Sequence, residues 1–490
     1  MPLLPPPGVT RRPLVVAAVM AAMAMVALEV TIVATAMPGI VTELGGLHLY
    51  SWVFSSFMLA QTATTVVFGK LSDIFGRRPT MLAGIAIFLL GSVLAGFAWS
   101  MPSMIAFRVL QGLGAGAILP IALTIVGDMY SPLERGKVQG YLASVWAISA
   151  VAGPMAGSLI VRELSWAWIF WINVPVGLLT SWLLVAFLHE PARTGKRQPI
   201  DYAGAVLFSI GVVALMLGLT DAATAGPVQV AVEFGVFVLA AWAFFVHERK
   251  VADPMVPLRL WSMRPVAACN AANLLAAMAL MGLTTFLPMY LQAVSGQTPV
   301  VAGLALTVMS VGWPAGATVC ARTFARVGGL RPYLVGGSMA LPLGAVAFVM
   351  LQPGSSPLLA GAGSLVMGFG MGLLTVASMM MLQSLVAPNE RGSVTASNLF
   401  ARNLGTTLGA ALFGAVQGSV FMQAPGGASH GAEHLRDLLT GRAADVAQNE
   451  AVRAALHQSL HVTFWAMLAI AVLTVLVMAM VPRKSAQVPR

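Results

Sequence analysis

Residues 14–37 read LVVAAVMAAMAMVALEVTIVATAM, and Glu29 is the one charged residue among them. About 20 such residues in a helix cross a bilayer. Arg11 and Arg12 precede the run, and Ala34-Thr35-Ala36 resembles a signal-peptide cleavage site. A secretory apolar region, however, is only about 7–15 residues long. The run is therefore expected to stay as a first membrane helix. A lone carboxylate in the middle of such a helix needs an explanation.

The pattern repeats along the chain. Of 490 residues, 58% are hydrophobic and 9% charged, against about 25% charged in a soluble domain. Fourteen spans are read, at about 14–37, 51–69, 80–98, 102–127, 138–161, 166–188, 201–220, 227–246, 266–291, 299–321, 332–351, 357–382, 396–420 and 461–481. Each must be helical, because the bilayer core offers backbone amides no other partner. The expected class is therefore all-α integral membrane, with no soluble domain and with the lipid bilayer as solvent. Cys269 and Cys320 lie in apolar segments without metal spacing, so neither a disulfide framework nor a metal site is expected.

The net charge of +10 comes with a definite placement. Of the 27 Lys and Arg residues, 21 fall at alternate ends of the fourteen spans: Arg11, Arg12, Lys70, Arg77, Arg78, Arg135, Lys137, Arg193, Lys196, Arg197, Arg249, Lys250, Arg259, Arg264, Arg322, Arg326, Arg331, Arg391, Arg483, Lys484 and Arg490. The short loops at the other ends hold none apart from Arg162 at a helix end. The positive-inside rule makes the basic side cytoplasmic and puts both termini there, in a plasma (inner) membrane. Topology accounts for the basic charge, so no nucleic-acid partner is expected.

Two features recur at one offset. PLERG (132–136) is answered by PNERG (388–392), and QGLGAG, carrying Gly112, Gly114 and Gly116, by MGFGMG, carrying Gly368, Gly370 and Gly372; both shifts are 256 residues. Repeated bundles with binding near the bilayer midplane are a known transporter design. The chain is divided into a cytoplasmic N-terminus (1–13), a six-helix bundle (14–188), a linker (189–265) with two extra spans (about 201–220 and 227–246), a second six-helix bundle (266–481) that includes an external loop (421–460), and a cytoplasmic tail (482–490). The glycine runs lie inside apolar helices rather than after a strand, so they are not nucleotide-binding loops.

Between spans 2 and 3 the chain reads GKLSDIFGRRP, Gly69–Pro79. This resembles the signature loop of the major facilitator superfamily. RVLQGLGAG (108–116) resembles the family's span 4 motif. GPMAGS (153–158) is similar to the span 5 motif of its proton-driven exporters, through Gly153, Pro154 and Gly157. LEVTIVATAMP (28–38) and WIFWINVPVG (168–177) resemble the fourteen-span branch, the multidrug:proton antiporters. There are departures: Glu29 stands where that branch usually has Asp, Ser158 replaces a second glycine, and Val145 and Ser149 occupy upstream glycine steps. The resemblance implies the major facilitator fold, two six-helix bundles plus two inserted helices. It also implies a conformational lock built from Gly69, Asp73, Gly76, Arg77, Arg78 and Asp128. Asp73 would sit at the start of span 11, near Pro332, and Arg77 would bridge to Asp128, holding the inner side closed.

A charge at a helix centre costs about 2.5–3.5 kcal/mol on insertion scales. It is expected to pair or to face an aqueous path. Burial favours the neutral carboxyl and a nearby cation favours the carboxylate, so a group under both influences can change protonation as its surroundings change. Glu29 lies eight residues before the outer end of span 1, and Arg108 about six residues into span 4. At 1.5 Å per residue both are roughly 9–12 Å below the outer surface, so they can meet. Glu29 is read as the proton carrier and Arg108 as its modulator; a static pair that orders the bundle is the alternative.

Gln61, Trp146, Asn273, Trp313 and Glu233 are polar or aromatic groups in spans and form a weak set of cavity candidates. Asn173 and Asn270 also lie in spans, and Arg402 is expected to snorkel toward the cytoplasmic end. The 29 methionines suit an adaptable pocket. In the loop 421–460, Ala432–Thr440 and Ala447–His461 could be short helices. His430 with His434 and His457 with His461 are spaced i,i+4 there, but no H-E-x-x-H pattern supports zinc. No phosphate-binding G-x-x-x-x-G-K-[ST] loop is present, so an ion gradient rather than ATP is expected to drive the protein. The charges are isolated rather than clustered as an enzyme would need. The expected function is a proton-coupled antiporter, without cofactor and monomeric, that exports lipophilic drugs or toxic small molecules, cations among them, by alternating access. Alternatives of the same fold are a lipid or natural-product exporter or a proton symporter. A transport-dead sensor or a membrane enzyme fits least.

Overall fold

The computed structural model describes residues 10–45, 49–190, 201–221, 226–251, 258–327, 329–423 and 450–481. Helices and short connections account for them, with no strand among the described residues. In chain order the helices are α1 (Arg12–Leu44), α2 (Tyr50–Phe75), α3 (Arg77–Gly96), α4 (Met101–Met129), α5 (Pro132–Glu163), α6 (Trp168–Trp171), α7 (Asn173–Phe187), α8 (Tyr202–Asp221), α9 (Pro227–Glu248), α10 (Leu258–Ser262), α11 (Arg264–Met289), α12 (Pro299–Val327), α13 (Arg331–Val349), α14 (Pro357–Leu385), α15 (Arg391–Gln423) and α16 (Glu450–Ala479). Thirteen of the described helical segments are long and apolar enough to cross a membrane. The 32-residue α5, with Glu134, Arg135, Lys137, Arg162 and Glu163 in its end turns, is not among them.

Several boundaries differ from the sequence expectation for local reasons. Helix α1 runs on to Leu44 and stops at Gly45, whose φ of 69° lies in the left-handed region; an apolar run marks where a helix meets lipid, not where it ends. The span read at 166–188 is interrupted at Ile172, giving α6 and α7. Helix α11 passes into a π-helical turn, Tyr290–Val294, just after Pro288, where proline removes a ladder hydrogen bond. The segment Ala447–His461 is not a separate helix from Glu450 onward, because Glu450 opens the 30-residue α16. Residues 432–440 and His430 and His434 lie outside the described residues.

The chain divides into two compact units. The first comprises Met1–Leu217, Ala231–Met263 and Leu382–Phe400. In it α1 lies along α5 and α7, while α2 and α3 pack on α4. The glycines of α4 make that packing close. A Cβ on Gly112 would meet Phe57 and Ala60 of α2, one on Gly114 would meet Gly84 and Phe88 of α3, and one on Gly116 would meet Gln61 and Thr64 of α2. At i and i+4 the glycines face one helix, and at i+2 they face another.

The second unit comprises Gly218–Val230, Arg264–Met381 and Ala401–Arg490. In it α16 packs on α11 and α13. Helix α14 repeats the device of α4: Gly368 faces Met309 of α12, Gly370 faces Gly337 and Ala340 of α13, and Gly372 faces Trp313 and Ala317 of α12. Missing side chains let backbones approach, the usual way helices pack where lipid competes for apolar surface.

Candidate functional site

Glu29 sits on the inward face of α1 with 1% of its surface exposed, and Arg108 of α4 is equally buried. Arg108 Nη1 donates to Glu29 Oε1 at 2.5 Å. The other carboxylate oxygen, Oε2, accepts from Asn173 Nδ2 of α7 at 2.9 Å. The guanidinium is held from three further sides. Its Nε donates to the Val53 carbonyl of α2 at 3.0 Å, its Nη1 to Gln111 Oε1 at 2.6 Å, and its Cζ stands 4.3 Å from the centre of the Phe57 ring. Gln111 Nε2 donates to Ser92 Oγ of α3 at 2.7 Å, and Ser92 also receives Asn173 Nδ2 at 3.3 Å. Five helices of the first unit thus converge on one ion pair. These hydrogen bonds offset part of the pair's desolvation cost, while removal of either partner leaves a bare charge in a dry site.

Two residues beyond Glu29, about half a turn, α1 meets α5. Thr31 Oγ1 donates to the Ser149 carbonyl at 3.2 Å. Gly153 lies where a Cβ would strike Thr31, and Gly157 where one would strike Thr35 and Ile32. These two motif glycines therefore set how closely α5 lies against the stretch of α1 that follows Glu29. Pro154 lies between them in α5.

A second cluster gathers at the basic end of the first unit. Gly69 and Gly392 are in mutual contact, since a Cβ on either would run into the other's backbone. This lets α2 approach the start of α15. Asp73 accepts there from the backbone N–H of Gly392 (2.9 Å) and of Ser393 (2.7 Å) and from Ser393 Oγ (2.7 Å). The carboxylate thus caps the free amides of a helix N-terminus, where the macrodipole also favours an anion. This corrects the expected location near Pro332: both helix starts have free amides, but Gly69 admits that of α15. Arg77 Nη1 donates to Asp73 Oδ1 at 2.5 Å, its Nε to Asp128 Oδ2 at 3.0 Å, and its Nη2 to the Pro388 carbonyl at 2.6 Å.

The basic-end cluster includes residues that the motif reading had missed. Arg391 Nη1 donates to Asp128 Oδ1 at 2.8 Å and to the Gly127 carbonyl at 3.2 Å. Arg135, at the matching place in PLERG, is held well below the usual arginine range, at about 10, by burial and then by the charge of Arg391, with Asp128 opposing. Glu190 Oε1 accepts from the backbone N–H of Arg77 (2.7 Å) and Arg78 (3.0 Å), and so caps α3. Gly76 has φ 107°, and a Cβ there would press on Glu190 Oε2, so glycine is needed on both counts. Arg78 reaches the Leu188 carbonyl at 3.3 Å. Arg391 could have been found from PNERG itself; Glu190 sits in a linker where no periodicity marks it.

The weaker cavity candidates are dispersed. In the first unit, Gln61 is buried with its carbonyl receiving Thr65 Oγ1, Trp146 is 37% exposed, and Glu233 is half-buried on α9. In the second, Asn273 is buried and donates to the Cys269 carbonyl at 2.9 Å, and Trp313 is half-buried with its carbonyl against Gly372. Among the described residues no group of three or more His, Cys, Asp and Glu is placed to hold a metal ion.

Comparison with known proteins identifies the family. The sequence profile of the Major Facilitator Superfamily matches residues 19–410. The chain belongs to the major facilitator superfamily. It is therefore a multi-pass membrane transporter, not an enzyme. It is 35% identical over 404 residues to multidrug resistance protein 3 of Bacillus subtilis (strain 168), covering 81% of this chain and 78% of that one. It is 32% identical over 410 residues to multidrug transporter protein MdtP of the same organism, covering 83% and 75%. Among solved structures it resembles the human organic anion transporter MFSD10, with a TM-score of 0.66 and 17% identity over 97% of this chain and 100% of that one. At that identity the likeness speaks to the fold alone.

Proposed function

We propose that this transporter exports lipophilic small molecules, cations among them, in exchange for protons. The observation that carries the reading is the buried Glu29–Arg108 pair, the one carboxylate of span 1 held by a guanidinium and an amide. Protonation of Glu29 releases Arg108 from its counter-charge, and loss of the proton restores the pair. Substrate and proton exclude one another through this carboxylate, and that exclusion is what makes exchange rather than co-transport. Alternating access presents Glu29 to each side in turn. A proton entering also runs down the membrane potential, at about 2.3 kcal/mol per charge per 100 mV.

The Gly69–Arg78 loop with Asp128 acts as a lock that is made and broken in each cycle. Gly153 and Gly157 keep α5 close to α1. Counting α5 with the thirteen apolar segments gives fourteen spans: two six-helix bundles, with α8 and α9 inserted between them in sequence. The basic ends face the cytoplasm, both termini lie there, and the protein works as a monomer in the plasma membrane. Its relatives named for multidrug transport support the substrate class.

The test is efflux of a lipophilic cationic dye from proteoliposomes under an imposed pH gradient, in the wild type and in Glu29→Gln. Gradient-driven efflux is expected in the wild type and is expected to fall by about two orders of magnitude in the variant, the scale of a lost proton-transfer group. Equal efflux in both would put the coupling site elsewhere.

A further inference from the structure

Arg402 of α15 is a second arginine inside a membrane helix, and among the described residues no carboxylate pairs with it. It lies eleven residues into α15, about 17 Å along the axis from Arg391, beyond the first turns where snorkelling toward the basic end would serve it. It is half-buried, and no described group accepts from its guanidinium.

Its surroundings are those of a binding face. Arg402 and Thr406 follow at i and i+4, so they share one stripe of α15 within the second unit, and along it exposure rises from half-buried to exposed. Thr406 Oγ1 donates back to the Arg402 carbonyl at 3.2 Å, which leaves the guanidinium uninvolved. Within the second unit, Gly405 packs on Leu274 and Gly409 on Met278 of α11. The offset of 131 residues in both contacts (405 − 274 and 409 − 278) puts Arg402 level with Ala271. Asn270 and Asn273, both buried, flank that level of α11 among small residues. A charge in such a position is costly unless it is paired, and none of the described carboxylates pairs with it.

We propose that Arg402 binds an oxyanion, and that the anion is a carboxylate or similar group on the transported lipophilic compound. This rests on the export reading and sharpens it: zwitterionic and anionic amphiphiles are substrates as well as cations. Arginine suits the task, since its planar fork takes a carboxylate through two parallel hydrogen bonds.

The test uses the full-length protein in nanodiscs of zwitterionic lipid and three probes: 11-(dansylamino)undecanoic acid, its methyl ester and the corresponding quaternary amine. Binding is read from dansyl fluorescence. The acid is expected to bind wild type at least about tenfold more tightly than the ester, the scale of one charge-assisted hydrogen bond. Arg402→Gln is expected to abolish that preference while leaving the ester's Kd unchanged, which also shows that the variant is folded. Arg402→Lys is expected to keep part of the preference. Equal binding of acid and ester by wild type, an undiminished preference in Arg402→Gln, or loss of ester binding in Arg402→Gln with no acid preference in Arg402→Lys would each overturn the proposal. Competition by 10-fold excess dodecyl phosphate but not by inorganic phosphate, at about the same ratio, supports an amphiphile; displacement by inorganic phosphate alone overturns that assignment. Gradient-driven transport of the ester by wild type tests the export reading separately, since it needs Glu29 and not Arg402.

Discussion

Helices α4 and α14 carry the same glycine triplet 256 residues apart, and each uses it in the same way, with the outer two glycines against one neighbour and the middle one against another. Four residues before the triplet they part. In α4 that position is Arg108, buried and bonded to Glu29, Gln111 and Val53. In α14 it is Ser364, also buried, whose hydroxyl has no hydrogen-bond partner. The packing device is shared between the two regions while the buried charge is confined to one. Duplication of a fold does not require duplication of its chemistry: glycine contacts are fixed by the distance between backbones, whereas a buried charge survives only where several helices supply partners for it.

The largest difference between the two helices should appear on truncation at that position. Arg108→Ala leaves Glu29 uncompensated and is expected to destabilise the protein by about 3–5 kcal/mol, whereas Ser364→Ala, which removes a hydroxyl without a partner, is expected to stay within about 0.5 kcal/mol. Thermal unfolding in detergent at pH 7 measures both. Restoration of Arg108→Ala by a second change, Glu29→Gln, would sharpen the point, because the penalty belongs to the bare carboxylate. Similar losses at the two sites would break the comparison.

A smaller effect should be common to both. Gly112→Ala and Gly368→Ala each push a methyl group at the backbone of a neighbouring helix, that of Phe57 and of Met309 respectively. Each is expected to cost about 1–3 kcal/mol, with the two values close to one another, in the same unfolding assay. A large cost in one helix only would mean that the glycines are not a shared packing device.

Much of this was legible in the sequence where one residue stood out from its background. Glu29 and Arg108 were visible as single charges in apolar runs, and a count of residues from the span ends put them at one depth. Their supporting atoms were not: Ser92 is one serine among many, and the Val53 carbonyl leaves no trace in a side-chain pattern. Gln111 carried a weak signal, three residues from Arg108 and so on the same helix face. The lock loop was legible by its motif, but the partner of Asp73 was placed near Pro332 when it is Gly392 and Ser393. A helix start is only a candidate until backbone approach decides between several, and Gly69 meeting Gly392 is a tertiary fact. The break at Ile172 escaped because Trp168–Phe187 reads as one apolar run.

The central claim is that substrate and proton compete for Glu29. The most direct test is proton release: weakly buffered, detergent-solubilised protein is mixed with a saturating lipophilic cation at a mildly acidic pH where Glu29 carries its proton, and the bulk pH is followed with an indicator dye. The account predicts that wild type releases protons on substrate addition, that the release fades as the pH is raised and Glu29 is already ionised, and that Glu29→Gln binds the same compound and releases none. Release of the same size from Glu29→Gln would contradict it.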